Sequence, residues 1–116
     1  MSVELYGLEH CGTCTKARDW LNSHKIRHRF SDYREHPIPP ATLKAWAKTL
    51  GWERLVNRAS TTWRDLSDAQ KAAATDAEWL ALIKAFPALV KRPVLVNDGA
   101  VSAGFSEKTF AERFGP

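Results

Sequence analysis

Apolar and polar positions change period several times along this chain, and each change marks an element. Ser2-Val-Glu-Leu-Tyr6 alternates and predicts a short strand. Thr15 to Ser23 carries Ala17, Trp20 and Leu21 on one face at helical spacing, with an end near Ser23-His24. Ile26 to Ser31 alternates again and predicts a second strand. Strand, helix and strand within about thirty residues make a βαβ unit, with a parallel strand pair and a right-handed crossover. Pro37-Ile-Pro-Pro40 then breaks the chain, and Pro40 suits a first helical position. Leu43, Trp46, Ala47 and Leu50 form an apolar stripe that stops at Gly51.

The middle of the chain is helical and carries explicit start signals. Ser67-Asp-Ala-Gln70 and Thr75-Asp-Ala-Glu78 both match the capping box, in which a hydroxyl and an amide or carboxylate satisfy orphan N–H groups reciprocally. The second opens a helix holding Trp79, Leu80, Leu82 and Ile83 through about Ala85. Trp46, Trp52, Trp63 and Trp79 are read as packing residues rather than a ligand platform. Val94-Leu-Val96 predicts a third strand, and Asn97-Asp-Gly99 a hairpin turn into Ala100 to Ala103. Ser106 caps a last helix holding Phe110 and Phe114. The resulting order is β-α-β, a helical block of roughly sixty residues, then β-β-α.

Bulk properties narrow the class. At 116 residues, 44% apolar and with five tryptophans, the chain is one folded domain with a real core. No apolar run approaches the length of a bilayer span, and Met1 to Tyr6 is followed at once by Gly, Glu and His, without an apolar leader segment. The expected address is the cytoplasm, where thiols stay reduced unless they cycle. The net charge of +4 suits small anionic substrates. The densest basic stretch, His24-Lys-Ile-Arg-His-Arg29, alternates around Ile26 and Phe30 and is read as the solvated face of an edge strand. It lacks the aromatic interleaving of a base-stacking surface, which argues against direct nucleic-acid binding. No internal repeat is present.

The candidate chemistry is in the only two cysteines, Cys11 and Cys14, within Tyr6-Gly-Leu-Glu-His-Cys-Gly-Thr-Cys-Thr-Lys-Ala-Arg18. They fall where the first strand gives way to the first helix, with Cys11 at or just before its first turn. Unpaired N–H groups and the positive end of the helix dipole favour an anion there, and a thiolate is the form that attacks disulfides. Cys14, three positions on, shares the helical face and is close enough to resolve a mixed disulfide at Cys11. Two other readings of the pair stand beside this one. A buried structural pair would be inert. A zinc site would add His24 and His28, but its central gap is about three residues short, and one helix lies where a finger folds a hairpin. No metal is therefore expected.

The element order resembles a thioredoxin-like α/β fold, a four-stranded mixed sheet with a helical insertion between its halves. Specific residues resemble the arsenate reductase (ArsC)/Spx family across essentially the whole chain. They are Tyr6-Gly7, Cys11 and Lys16-Ala-Arg18; Asp32-Tyr33; Leu55-Val-Asn-Arg58 with Thr61-Thr-Trp63; Ile83 to Pro87; Lys91-Arg-Pro-Val94; and Gly104-Phe105. Asn57-Arg58 with Thr62-Trp63-Arg64 is most similar to the YffB-like branch, whose members resemble glutathione-dependent thiol reductases. The resemblance implies a core of residues 1–36 and 88–116 and an insertion of about residues 37–87.

It also implies roles. Cys11 falls at the nucleophile. Arg58 and Arg92 fall at arginines that help hold the thiolate and offer fork-shaped donors to an oxyanion or a glutathione carboxylate. Pro93 falls at a position that is cis in such folds, where the backbone can pair with a bound peptide or glutathione. His10, Gly12 and Thr13 are expected to contact substrate. Two departures qualify the match. Val101-Ser-Ala-Gly-Phe105 lacks the arginine that arsenate reductases of this type carry there, which weakens arsenate as substrate. Cys14 is absent from many members, whereas Spx-like regulators use a C-x-x-C pair as a redox switch. The expected function is a cytoplasmic thiol-disulfide oxidoreductase with no bound cofactor and glutathione as co-substrate. The alternative is an Spx-like regulator that binds the RNA polymerase α subunit.

Overall fold

The computed structural model describes residues 2–115. Along the chain come β1 (Val3–Gly7), α1 (Gly12–Ser23), β2 (Arg29–Asp32), α2 (Pro40–Leu50), α3 (Trp52–Leu55), α4 (Thr61–Arg64), α5 (Asp68–Lys71) and α6 (Asp76–Ala85). A 3₁₀ turn (Pro87–Leu89), β3 (Val94–Asn97), β4 (Ala100–Ala103) and α7 (Glu107–Phe114) complete it. Two compact units emerge, Met1–Tyr33 with Arg92–Pro116, and Arg34–Lys91.

The first unit is built on a four-stranded mixed sheet in the order β2-β1-β3-β4. β1 runs parallel to β2, with Gly7 opposite Asp32, and antiparallel to β3, with Tyr6 opposite Val94. The period-2 pattern decides which side of β1 is covered: Val3, Leu5 and Gly7 are buried, while Glu4 and Tyr6 are only partly so. Val3 and Leu5 pack with Ala17, Trp20 and Leu21 of α1, Leu95 of β3 and Phe110 of α7. Phe110 is the hub, edge-on to Phe105 at 4.7 Å and to Trp20 at 5.5 Å between ring centroids. The Asp98-Gly99 turn has positive φ at both positions, 50° and 86°, the geometry that joins two twisted antiparallel strands. Ser106 caps α7, accepting from the Thr109 N–H, with Thr109 in the reciprocal position.

Helix α1 begins at Gly12, which puts Cys11 just before its first turn as expected; the Cys11 carbonyl accepts the Thr15 N–H at 2.9 Å and its hydroxyl at 3.1 Å. One boundary departs from the sequence reading: strand β2 begins at Arg29, not Ile26. The cause is how α1 ends: Lys25 takes a left-handed φ of 57°, the Ile26 N–H returns to the Leu21 carbonyl and the Lys25 N–H to that of Asn22. This is a Schellman stop with lysine where glycine is usual, and it consumes the residues that alternate in sequence. β2 is nevertheless an edge strand, as expected, and Lys25, Arg27 and Arg29 are exposed.

The second unit is helical. Pro40 opens α2 and Gly51 ends it at φ 83°. Both capping boxes form, Ser67 with Gln70 and Thr75 with Glu78. A bridge between Val56 and Val90, flanked by Asn57 N–H to Leu89 O and Lys91 N–H to Leu55 O, each 2.8 Å, ties the end of α3 to the residues after the 3₁₀ turn. Inside, Trp52, Trp79 and Trp63 form a stack, with centroids 6.2 and 5.9 Å apart and nearly parallel planes. These tryptophans do pack helix against helix, as their spacing predicted.

Candidate active site

Sheet topology brings three segments of the first unit to one end. The parallel β1–β2 pair places the loop after Gly7 beside the residues after Asp32. The antiparallel β1–β3 pair places the residues just before Val94 at that same end. Cys11, Tyr33 and Arg92 meet there although 59 positions separate the last two (92 − 33).

The Cys11 loop is braced by main-chain and carboxylate contacts. The Cys11 N–H bonds to the Leu8 carbonyl at 3.2 Å, the Glu9 N–H to Asp32 Oδ2 at 2.9 Å, and the Tyr33 N–H to the Gly7 carbonyl at 3.0 Å. Cys11 is the N-cap residue of α1 and is partly exposed; Cys14, one turn in, is fully buried. Both thiols are free. A β-carbon on Gly7 would collide with Cys14 Sγ, so the Tyr6-Gly7 pair is where the sheet end makes room for the second sulfur.

Electrostatics separate the two thiols. Partial burial pushes the Cys11 thiol up, but it is outweighed by main-chain donors of Cys14 and Thr13, the Cys14 S–H and the Arg92 charge. Cys11 is thereby held below the ordinary cysteine value. Burial pushes the Cys14 thiol up to about 11, with a further push from donating to the Cys11 sulfur and facing its charge. One thiol is thus held toward its charged form and the other toward its neutral form.

Arg92 connects the site to the third segment. Its charge acts on both the Cys11 thiol and the Tyr33 phenol, favouring the anion of each. Burial alone would lower its pKa, but these two neighbours raise it. Tyr33 is itself buried, and burial pushes its phenol up to about 12, against the pull of the Arg92 charge. The Arg92–Pro93 bond is cis, as the resemblance implied, and the Pro93 carbonyl accepts the Gly104 N–H at 2.8 Å.

Other sequence candidates are placed more loosely. His10, Gly12 and Thr13 are exposed at the mouth of the turn, and a β-carbon on Gly12 would meet nothing within 4 Å. Arg58 is exposed in the second unit, its guanidinium over the rings of Trp63 (5.5 Å) and Trp79 (5.9 Å). The two histidines of the zinc reading have other neighbours. His24 stacks on Trp20 at 3.8 Å with Nδ1 on the Trp20 carbonyl, and His28 Nδ1 lies on the Ile26 carbonyl. Among the described residues, no three His, Cys, Asp or Glu side chains gather to hold a metal ion. Gly7, Asp32 and Tyr33 were not assigned roles from the sequence. Their signal was positional, since each sits at the end of a strand in the parallel pair.

Comparison with known proteins accords with this architecture. The ArsC family model matches residues 6–113. The chain belongs to the ArsC family. The solved structure of a YFFB protein superposes with a TM-score of 0.89 at 40% identity, covering 96% of this chain and 97% of that one. The solution structure of an arsenate reductase (ArsC) related protein from Brucella melitensis gives 0.79 at 40% identity, covering 100% and 97%. Among curated proteins, the global transcriptional regulator Spx of Enterococcus faecalis is 28% identical over 108 residues, 90% of this chain and 80% of that protein. The α/β architecture with its four-stranded mixed sheet is therefore the thioredoxin-like ArsC fold.

Proposed function

We propose that this ArsC-family chain is a glutathione-dependent thiol-disulfide reductase with Cys11 as nucleophile. The observation that carries the reading is the inequality of the two thiols: Cys11 is partly exposed at the N-terminus of α1, while Cys14, one turn in, is fully buried. The Cys11 thiolate attacks one sulfur of a disulfide; a new S–S bond forms, the old one breaks, and the departing thiolate takes a proton from water. With Cys11 now uncharged, two causes that hold Cys14 protonated, the charge on Cys11 and the hydrogen bond that Cys14 donates to it, are lost. Cys14 then loses its proton to solvent and attacks Cys11. This expels the second thiol and leaves a Cys11–Cys14 disulfide. Two molecules of glutathione reduce that disulfide and become one glutathione disulfide, closing a two-electron cycle.

In this reading Arg92 serves the thiolate and a carboxylate of glutathione. His10, Gly12 and Thr13 supply the exposed rim against which the tripeptide lies, and Pro93, whose ring is buried, contributes only through its main chain. Thiol reduction is favoured over arsenate reduction because Val101 to Phe105 offers no further guanidinium for an oxyanion. Glutathione disulfide followed by intact-mass measurement tests the cycle. The native chain should lose two hydrogens, and Cys14→Ser should instead keep a glutathione adduct on Cys11. No change in either protein would overturn the proposal.

A second reading is favoured by one feature shared with the Spx relatives' side of the family, a C-x-x-C pair able to close a disulfide. As a regulator, the chain would bind the RNA polymerase α subunit in one redox state. Equal binding, or none, by oxidised and reduced protein would remove it.

A further inference from the structure

We propose that Gly7 is the positioning residue of the resolving thiol: its missing side chain is the space in which the Cys14 sulfur rests, one turn in from Cys11. The inference rests on the reductase reading and concerns its second step, not its nucleophile.

Gly7 is the last residue of β1, is buried, and pairs with Asp32 across the parallel ladder. It is not among the glycines with positive φ, so its backbone is one that any residue could adopt. A glycine weakens a strand, and where conformation does not demand it, it marks a place that another group must approach closely. Here that group is one atom. A β-carbon at Gly7 would lie at ordinary contact distance from Cys14 Cβ (3.5 Å) and from Phe30 Cε1 (3.6 Å), yet it would collide with Cys14 Sγ. Helix α1 and strand β1 are thus already spaced for an alanine; only the sulfur is not. The Phe30 ring of β2 closes one side, so a methyl group there has no room to slide off the sulfur. Cys14 is 0% exposed in the packed core, and rotation about its Cα–Cβ bond is the one soft way to clear such a methyl. That rotation carries the sulfur out of its present place. Cys11 is the N-cap of α1 and Cys14 its third residue. Helical side chains lean toward the N-terminus, so the sulfur lodged against Gly7 stands on the face from which Cys11 is reached.

Gly7→Ala in the full-length chain tests the assignment, with glutathione disulfide as the probe and intact mass followed over time. In the native chain the Cys11 thiolate takes one glutathione, and the other leaves as a thiol. Cys14 then loses its proton to solvent and attacks Cys11. The Cys11–glutathione bond breaks, a Cys11–Cys14 bond forms, and the second glutathione departs and is protonated by water. In Gly7→Ala the adduct should still form on Cys11. Its conversion to the internal disulfide should slow about ten- to hundredfold, the effect of misplacing a reacting atom by about 1 Å. Stability gives a second readout that a merely structural glycine would not produce. In a Cys14→Ala background no sulfur remains to collide, so adding Gly7→Ala should barely move the denaturation midpoint; in the native background it should lower it. Conversion at the native rate in Gly7→Ala refutes the inference, and so does an equal loss of stability in both backgrounds. Should Gly7→Ala alone not fold, the Gly7→Ala/Cys14→Ala protein decides. Recovery of the fold supports the assignment, and failure to fold beside a folded Cys14→Ala refutes it. A native chain that gains neither adduct nor internal disulfide removes the reductase reading itself. A native chain that closes its disulfide, matched in rate by Gly7→Ala, removes this inference alone.

Discussion

Cys11 and Cys14 are the same side chain in different surroundings, and the difference in surroundings is the chemistry. Cys11 sits half in solvent with donors aimed at it; Cys14 sits in the core against Gly7. Between pH 7 and 9 an alkylating reagent should therefore modify one thiol, with a rate that climbs as pH rises through the Cys11 midpoint. Modification of the second should require either unfolding or a pH near the Cys14 value of about 11. Counting adducts by mass at each pH checks both statements. Gly7→Ala should destabilise the protein by about 1–3 kcal/mol, because either the new methyl or the Cys14 sulfur must shift in a packed interior. Chemical denaturation would show it as a lower midpoint with an unchanged slope. The two cysteines were legible from residue type and spacing, and Arg92 only through the family resemblance. The inequality of the thiols was not, since it depends on burial by residues distant in sequence.

Elements followed the sequence wherever local chemistry closed on itself. Serine or threonine followed three residues later by a partner for its own N–H predicts a helix start without help from elsewhere, and Ser67 and Thr75 form their boxes as written. Thr75→Ala should cost about 1 kcal/mol, measured by thermal or denaturant unfolding. The reading failed where one element's ending borrowed residues from the next. Alternation from Ile26 onward described a strand, but Ile26 is pulled back onto Leu21 by the stop of α1, and pairing with β1 starts only at Arg29. Lys25 is left at a φ that glycine adopts freely. Lys25→Gly should thus raise stability by up to about 1 kcal/mol, whereas Lys25→Val should lower it. A denaturation series over the three proteins tests the ranking.

Across the whole molecule, the sheet order does what no single segment could. A parallel partner on one side of β1 and an antiparallel partner on the other send the chain past the cysteine turn three times. The visits bring a thiol, a phenol and a guanidinium to the same end. Element types and order were legible because the period switches cleanly between 2 and 3.6. The arrival of Arg92 at the same end as Cys11 depended on register, which the sequence does not display. The sheet in turn relies on one aromatic hub, and Phe110→Ala should cost about 3–5 kcal/mol. The most direct test of the central claim is the pH profile of Cys11 alkylation in the native, reduced chain. A midpoint clearly below the ordinary cysteine value of about 8.5, rising when Arg92 becomes alanine, is the result expected here. A midpoint at or above that value, indifferent to Arg92, would contradict it.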